Sequence, residues 1–326
     1  MSKVALARGN DRYFNVYRAL ELIADEIELG RRIVIKPNFT SLDNQLAATH
    51  VDAVRAVLAF FSQFTETTII VGEGTSRGKA YDAFKNYGYF DLVRHYNVGF
   101  MDLNHDETVE VRVLDSNFDP VPIRISKTIA QSDLRISVCP PKTHDEVLYT
   151  GVLKNMVSGS VVRKQKRISE ILFKLFTRWR RNSGDDKMKL HQGYQATNLN
   201  LYEMATRIPP HLSIIDGFKA MQGNGPHYGE PVDMRLALAS TDFLACDTVG
   251  SWLMGIDVSQ IGYLSYCQQT GLGEGDIFNI EIVGDKLEEC IVSAKPHYKW
   301  EEQLNWKIID HERYLKWLTA LADAET

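Results

Sequence analysis

Short apolar runs alternate with helical patterns along most of the chain. Apolar positions recur every three or four residues in segments that include 12–29, 54–61, 80–87 and 300–321, which is the spacing of a helix with one buried face. Between the helical segments lie short apolar runs that predict strands at 33–35, 67–71, 99–101, 134–138, 212–215, 235–239 and 278–283. This alternation is typical of βαβ units. It predicts a Rossmann-like α/β fold with a mostly parallel sheet and helices on both faces.

One segment interrupts the alternation. Residues 163–189 contain ten Lys or Arg and three acidic residues, a local charge of +7. Within it Ile168, Ile171, Leu172 and Leu175 fall on one face of a helix. The pattern predicts a basic helical insertion in a single large α/β domain spanning 1–326, with two closely packed lobes as the alternative. Three roles remain open for this insertion: a solvated surface helix, a flap over the site, and a helix that lies on an anionic surface.

Composition narrows the class of protein. Hydrophobic residues make up 44% of the chain and charged residues 24%, which is ordinary for a globular protein, and the net charge of −5 argues against nucleic acid as a partner. The four cysteines lie far apart, and no apolar stretch reaches about 18 residues. We therefore expect free thiols, a cytoplasmic location and no transmembrane segment, and we leave a homo-oligomer open.

Polar side chains stand just past the ends of the predicted strands. The carboxyl ends of parallel strands meet at one edge of a sheet, and ligands bind in the crevice outside that edge. The pattern therefore predicts one shared site for a small ligand. Its strand-end residues are Lys36, Asn38, Glu73, Asp102, Asn104, Lys142, His144, Asp216 and Asp242.

The segment 133–155 offers the strongest candidate chemistry. An apolar run ends at Pro140 and Pro141, and the predicted loop that follows carries Lys142, Thr143 and His144. A lysine that is partly desolvated loses pKa and can act as a base, while histidine titrates near neutral pH. We predict Lys142 and His144 as the catalytic pair.

Other residues are predicted to bind an anionic substrate. Lysines that converge on one point stabilise a carboxylate, a phosphate or a developing enolate. The turn GEGTSRG at 72–78 either cradles an anion with its backbone N–H groups or is a tight turn that needs positive φ at Gly72 and Gly74. The glycine-rich loop 221–229 is either a lid or a surface excursion. The predicted binding residues are Lys36, Asn38, Glu73, Thr75, Ser76, Lys154, Asn155, His191 and Asn224.

A metal site is a further hypothesis. Glu73, Asp102 and Asp216 supply carboxylate oxygens at strand ends, which suit Mg²⁺ or Mn²⁺. No HxH, HExxH or DxDxDG spacing is present, so zinc and calcium are poorly supported. We leave a divalent metal open. Asp242 and Asp247 are better explained as helix-capping residues.

Several motifs together resemble a known family. KPNFTS, VGEGTSRG, DLNHD, PPKTH followed by TGVLKN and His191, IDGF, GNGP, GEPV and ASTDFLACD follow one another between residues 36 and 284. In this order they resemble the family called domain of unknown function 362. The resemblance implies an α/β protein of bacteria or archaea, found alone or fused to a ferredoxin-type segment. This chain lacks the clustered cysteines of that segment, so we expect no bound iron–sulfur cluster.

Three hypotheses for function follow. The first is an enzyme that acts on a small anionic metabolite by lysine and histidine acid–base chemistry, with isomerisation, elimination and hydrolysis all open. The second is a metal-assisted hydrolase or transferase that uses Glu73, Asp102 and Asp216. The third is a non-catalytic protein that binds a ligand or cofactor in the same crevice.

Overall fold

The computed structural model describes residues 1–163 and 185–308, together with 310, 312, 313 and 316. The strands are β1 (Ser2–Arg8), β2 (Ile33–Lys36), β3 (Ile69–Glu73), β4 (Val98–Asp102), β5 (Thr108–Leu114), β6 (Pro120–Ser126), β7 (Leu134–Cys139), β8 (Lys142–His144), β9 (Leu148–Thr150), β10 (Leu212–Ile215), β11 (Lys219–Gln222), β12 (Glu230–Asp233), β13 (Leu236–Ser240) and β14 (Ile280–Gly284). The helices are α1 (Arg12–Glu21), α2 (Val51–Phe61), α3 (Ala80–Asn86), α4 (Lys127–Ala130), α5 (Val152–Ser160), α6 (Asp186–Leu190), α7 (Tyr194–Arg207), α8 (Phe243–Leu253), α9 (Gly262–Gln269) and α10 (Trp300–Gln303).

The central sheet has the order β14-β1-β13-β10-β7-β2-β3-β4. The chain runs outward from β2 through β3 to β4 and then returns to the other side of β2 as β7, followed by β10. This is the doubly wound, Rossmann-like arrangement that the alternation predicted. The topological switch point lies between β2 and β7, where such folds bind ligands at the carboxyl ends of the strands.

Both faces of the sheet are covered by helices. Alternate residues of one strand face opposite ways, so Val4 and Leu6 of β1 pack in one core while Ala5 and Ala7 pack in the other. The first core contains side chains of α5, α7, α8 and α9, and the second contains side chains of α1, α2 and α3. Burial on both faces explains why β2, β7, β10 and β13 are buried at every position and rich in apolar residues.

Strand β13 runs antiparallel to both of its neighbours, β1 and β10. Its carboxyl end therefore lies at the opposite edge of the sheet, and the prediction that Asp242 shares the edge of the other strand-end residues is wrong. Asp242 instead begins α8, where its carboxylate accepts hydrogen bonds from Leu244 N and Ala245 N, as the capping alternative predicted. Strand β1 has no counterpart among the predicted strands.

Three other elements differ from their predictions. Residues 142–144 form the short strand β8 rather than a loop, because they pair with β9 and β11 in a second sheet of order β12-β11-β8-β9. The first helix ends at Glu21, well before residue 29. The C-terminal helix α10 is also short, and its predicted continuation falls mainly outside the described residues. Most of the basic insertion at 163–189 likewise lies outside them.

Candidate active site

A cleft of about 360 Å³ opens at the switch point. Its walls come from the ends of β2, β3 and β8, from one face of α5, from α6 and the residues that follow it, and from the loop after β11. It is therefore where the fold class expects a ligand. The side chains that the chemistry depends on are Lys36, Asn38, Glu73, His144, Glu146, Lys154, Asn155, Ser158, Lys187, His191 and His227.

Helix α5 begins with a cap supplied from far along the chain. Gly151 has no side chain to cap it, and a Cβ there would lie 1.8 Å from Asp247 Oδ1. Asp247 accepts hydrogen bonds from Val152 N at 2.7 Å and Leu153 N at 3.1 Å. Burial raises the pKa of this carboxyl to about 7, although both backbone hydrogen bonds oppose the shift. Asp247 thus fixes the start of the helix that forms one wall of the cleft.

The floor of the cleft is a neutralised ion pair. Lys36 Nζ donates to Glu73 Oε2, Asn155 Oδ1 and Pro37 O, each at 2.7 Å. Burial lowers the pKa of Lys36, while Glu73 opposes that shift. A Cβ at Gly159 would come within 2.4 Å of Glu73 Oε1 and 2.3 Å of Lys36 Nζ, so only glycine lets α5 approach this pair. Three acceptors already surround the Lys36 ammonium.

The glycine-rich turn after β3 serves the same close packing. Gly72 and Gly74 do not have positive φ, so that alternative for the turn is wrong. A Cβ at Gly74 would lie 2.4 Å from Gly159 O, the backbone of α5. Thr75 is buried, while Ser76 lines the cleft and its carbonyl accepts from Arg163 Nη1 at 3.2 Å.

Lys142 lies behind the cleft wall. Its Nζ donates to Asn38 Oδ1 at 2.6 Å, Thr40 Oγ1 at 3.0 Å and Ala47 O at 3.3 Å. Asn38 and Thr40 line the cleft and separate this amine from it. Burial, with the nearby cations Lys154 and Lys36, lowers the pKa of Lys142 to about 7 despite the opposing effect of Cys139. The amine is therefore poised to exchange a proton near neutral pH, but it reaches the cleft only through Asn38 and Thr40.

Two other lysines line the cleft without a carboxylate partner. The residue Lys154 is only 4% exposed, and its Nζ has one long hydrogen bond, 3.4 Å to Ser158 Oγ. In residues 1–163 and 185–308, no carboxylate lies within ion-pair distance of it. Lys187 Nζ donates to the Ser158 carbonyl at 2.6 Å. Burial lowers the pKa of each lysine to about 8, so both remain largely protonated at pH 7.

Two histidines stand beside each other in the same cleft. The rings of His144 and His191 are nearly parallel, with an interplanar angle of 8° and centroids 6.3 Å apart. His191 Nδ1 lies 2.5 Å from Glu146 Oε2, while the Glu146 backbone N donates to His144 Nδ1 at 3.0 Å. Thr197 Oγ1 donates to Glu146 Oε1 at 2.8 Å. Burial raises the pKa of Glu146, but the hydrogen bonds from His191 and Thr197 outweigh it and hold the value below the ordinary one.

Asn224 is exposed and, like the buried Thr75, does not line the cleft. Pro226 and His227 of the same loop line the cleft instead. Thr143 Oγ1 holds this loop by donating to Gly223 O at 2.9 Å. The loop 221–229 is thus tied to β8 at one end.

The three carboxylates considered for a metal are not brought together. Glu73 pairs with Lys36 at 2.7 Å, and Asp216 pairs with Arg12 at 3.0 Å. Asp102 caps a turn by accepting from Asn104 N at 3.1 Å, and it also accepts from the backbone of α3. Among the residues that the structure describes, no three or more His, Cys, Asp or Glu side chains form a group that could hold a metal ion. The metal hypothesis for this set of residues therefore lacks a geometric basis.

Of the eleven cleft side chains named for their chemistry, sequence reasoning missed four: Glu146, Ser158, Lys187 and His227. Ser158 lies four residues after Lys154, so helical spacing alone places both on one face of α5. Glu146 and His227 lie in turns, and turns have no hydrophobic periodicity from which their conformation could be predicted. Lys187 fell inside the segment predicted as a basic insertion.

The fold and the cleft define a doubly wound α/β protein with a cleft at its switch point that is lined by buried lysines and two histidines. The chain belongs to the family described as domain of unknown function (DUF362), whose model matches residues 33–252. That range contains every cleft side chain named above. The resemblance inferred from the motifs is therefore confirmed.

Two individual proteins are similar to this chain. The thylakoid-associated protein sll1697 of Synechocystis sp. (strain ATCC 27184 / PCC 6803 / Kazusa) is 26% identical over 248 residues, which cover 76% of this chain and 70% of that protein. Among solved structures, the lactate racemase apoprotein from Thermoanaerobacterium thermosaccharolyticum matches with a TM-score of 0.46 at 15% identity. That match covers 79% of this chain but only 58% of the racemase chain, and it is too distant to transfer an activity. In the part of the chain that the structure describes, no helix is both long and apolar enough to cross a membrane.

Proposed function

We propose that this protein is an enzyme that binds a small anionic metabolite at Lys154 and moves a proton within it. The observation that carries the proposal is the buried Lys154 ammonium, which faces the cleft and, among the described residues, has no carboxylate within ion-pair distance, although Glu146 and Asp145 are near enough to oppose the lowering of its pKa by burial. Burial of an unpaired charge is unfavourable, and proteins usually avoid it by pairing the charge. A carboxylate or phosphate that enters the cleft would supply the missing partner. Lys187, on the opposite side of Ser158, adds a second positive charge.

The proton-transfer groups are the histidines of the same cleft. His144 and His191 both line it, and a neutral imidazole carries one N–H donor and one basic nitrogen. Lys142 was predicted as a catalytic partner of His144. Because its amine lies behind Asn38, we assign it a positioning role in which it orients the Asn38 amide towards the ligand.

The binding step is tested by calorimetric titration with inorganic phosphate and with a panel of two- to four-carbon carboxylates. Lys154→Met removes the charge while keeping most of the side-chain volume. We expect it to weaken binding about 30-fold or more, since loss of one partner of a buried charge pair costs about 2–5 kcal/mol. The matched control Lys85→Met, on the exposed face of α3, should bind like the wild type. Equal binding by Lys154→Met and the control would refute the proposal.

The chemical step is tested by proton NMR in D₂O with each acid that binds. Transfer of a carbon-bound proton through a histidine should exchange that proton for deuterium, and the exchange should be absent in the double variant His144→Gln/His191→Gln. Binding without exchange or other turnover would identify a ligand-binding protein instead. Turnover that requires added Mg²⁺ or Mn²⁺ would favour the metal-assisted alternative.

We also propose that the partner is a small anionic molecule and that the protein is cytoplasmic. Lys36, Lys154 and Lys187 place positive charge at single points inside the cleft, beside the carboxylates of Glu73, Asp145 and Glu146, while the whole chain carries −5. This distribution suits a small anion better than nucleic acid, which needs an extended basic surface.

A further inference from the structure

Both cleft histidines are held through the same neighbour and through the same ring atom. The backbone N–H of Glu146 donates to His144 Nδ1, and the carboxylate of Glu146 binds His191 Nδ1. In each ring Nε2 lies on the far side from Glu146. The rings are nearly parallel, both line the cleft, and among the described residues neither Nε2 has a hydrogen-bond partner.

The two hydrogen bonds demand opposite tautomers. An N–H group can only donate, so His144 Nδ1 must be the acceptor, and a neutral His144 carries its proton on Nε2. A carboxylate can only accept, so His191 Nδ1 carries a proton, and a neutral His191 has a free lone pair on Nε2. The cleft therefore contains one imidazole N–H donor beside one imidazole base.

One contact opposes this assignment for His144. Asp145 Oδ1 lies 3.1 Å from His144 Nδ1, which would favour a proton on that atom. The Asp145 side chain is half exposed, whereas His144 is buried. The charged and titratable groups that face His144 are Lys154 from α5, Lys142 from its own strand, His191, and His227 from the loop after β11. The Glu146 N–H meets His144 Nδ1 with hydrogen-bond geometry, whereas the Asp145 carboxylate makes only a distance contact, so the amide is the partner of Nδ1. Burial first, and then these neighbouring groups, hold the pKa of His144 well below its ordinary value, so the ring stays neutral.

We propose that Glu146 sets complementary tautomers on the two histidines, so that His191 is the general base and His144 is the hydrogen-bond donor in a proton abstraction next to a carbonyl group. This assignment rests on the proposed function and names its substrate class, a small carboxylate with an acidic C–H beside a carbonyl. A neutral histidine that polarises a carbonyl is an established catalytic arrangement in other enzymes.

The step is balanced within the site. His191 Nε2 takes the proton, the C–H bond breaks, and its electron pair forms a C=C bond while the carbonyl electrons move to oxygen. The enolate oxygen accepts a hydrogen bond from His144 Nε2–H, and the Lys154 ammonium offsets the negative charge. Return of the proton from His191 to the same or a neighbouring atom completes the cycle without an oxidant or a further reactant.

Glu146 is a positioning residue in this scheme, and its test has a readout that does not depend on turnover. Long-range ¹H–¹⁵N correlation spectra of protein labelled at histidine report which nitrogen carries the proton, with His144→Gln and His191→Gln for assignment. We expect wild-type His144 as the Nε2–H tautomer, and His191 with a proton on Nδ1. Equal tautomers in the two rings, or His144 protonated at Nδ1, would overturn the inference.

Glu146→Gln then tests the cause. Its amide can turn an NH₂ group towards His191 Nδ1, which moves the ring proton to Nε2, while the backbone N–H to His144 is unchanged. We expect the His191 tautomer to invert, the His144 tautomer to persist and deuterium exchange to fall about 100-fold, within the range for loss of a general base. Thr197→Val, which removes one hydrogen bond to Glu146, should give a smaller loss and serves if Glu146→Gln does not fold. An unchanged His191 tautomer in Glu146→Gln would refute the role of Glu146, and so would unchanged deuterium exchange in Thr197→Val if only that variant folds.

The two proposals can fail separately. Complementary tautomers in a protein that exchanges no bound acid would remove the enzymatic function and with it the assigned roles. Exchange catalysed by a protein with equal tautomers would keep the function and remove the role of Glu146.

Discussion

The two sides of the cleft use the same residue types for different purposes. On the side of β2 and β3, Lys36 is surrounded by three acceptors, one of them the carboxylate of Glu73. On the side of α5, Lys154 has a single hydrogen bond of 3.4 Å. Both lysines are buried, so burial alone does not distinguish a structural lysine from a binding one. The difference lies in whether the charge has already been compensated within the protein.

Removal of the compensated lysine should have the largest effect on stability. Lys36→Met leaves the Glu73 carboxylate buried without its cation, and we expect the free energy of unfolding to fall by about 3–5 kcal/mol. The measurement is equilibrium denaturation in urea. The double variant Lys36→Met/Glu73→Leu should recover most of the loss, because a well-packed apolar pair can replace a buried ion pair. A double variant as unstable as the single one would show that packing, not charge, is the cause.

The close approach of α5 to this ion pair provides the next test. Gly159→Ala would place a methyl group against Lys36 Nζ and Glu73 Oε1, at the floor of the cleft. We expect a destabilisation of about 1–3 kcal/mol, typical of an overpacked site, despite the better helix propensity of alanine. Thermal unfolding followed by circular dichroism measures it. If the melting temperature of Gly159→Ala equals that of the wild type, the Lys36–Glu73 ion pair can shift to make room for the methyl group.

The uncompensated lysine should behave in the opposite way. At pH 7 we expect Lys154→Met to unfold no more readily than the wild type, because it removes a buried charge that lacks a partner. The pKa of Lys154 in the folded protein, about 8, lies below that of an unfolded lysine. Above pH 8 the folded state therefore binds fewer protons than the unfolded state, and the stability contributed by this group increases with pH.

Relative to Lys154→Met, the wild type should therefore gain up to about 1.4 kcal/mol per pH unit between pH 8 and pH 10. Ionisation of the buried cysteines on unfolding affects both proteins equally and cancels in this difference. Urea denaturation at pH 7, 8, 9 and 10 provides the values. If the difference in free energy of unfolding between the wild type and Lys154→Met does not change with pH, Lys154 is not desolvated.

The smallest effect is expected from chelation. Since Glu73, Asp102 and Asp216 each have partners of their own, treatment with EDTA should shift the melting temperature by less than about 1 °C. A larger shift that Mg²⁺ or Mn²⁺ reverses would restore the metal hypothesis.

The sequence predicted the fold well because burial on both faces leaves a readable pattern. The run 33–35 is apolar throughout, and 134–138 has apolar residues at its first, third and fifth positions, which is typical of strands with buried faces. The direction of β13 could not be predicted in the same way. An antiparallel strand in this position is as apolar as its parallel neighbours, so Asp242 was assigned to the wrong edge.

The site was predicted where residues follow a strand or share a helix face. Lys36, His144, Lys154 and Asn155 meet in the cleft, although their chemical roles remain predictions. Glu146 was not predicted because its contacts depend on the conformation of the turn between β8 and β9. That turn brings its backbone N–H to His144 and its carboxylate to His191. Nothing in the order of residues reveals that geometry.

The cap of α5 also has a consequence for the order of events during synthesis. Domains generally fold as units as the chain emerges from the ribosome, with the N-terminal part appearing first. The helix that presents Lys154 has no local cap, and the carboxylate that supplies one comes 95 residues after Val152. A nascent chain that ends before residue 247 would contain the cleft lysines and histidines but not the residue that anchors their helix. Ligand affinity should therefore appear late in translation, only after α8 has left the ribosome.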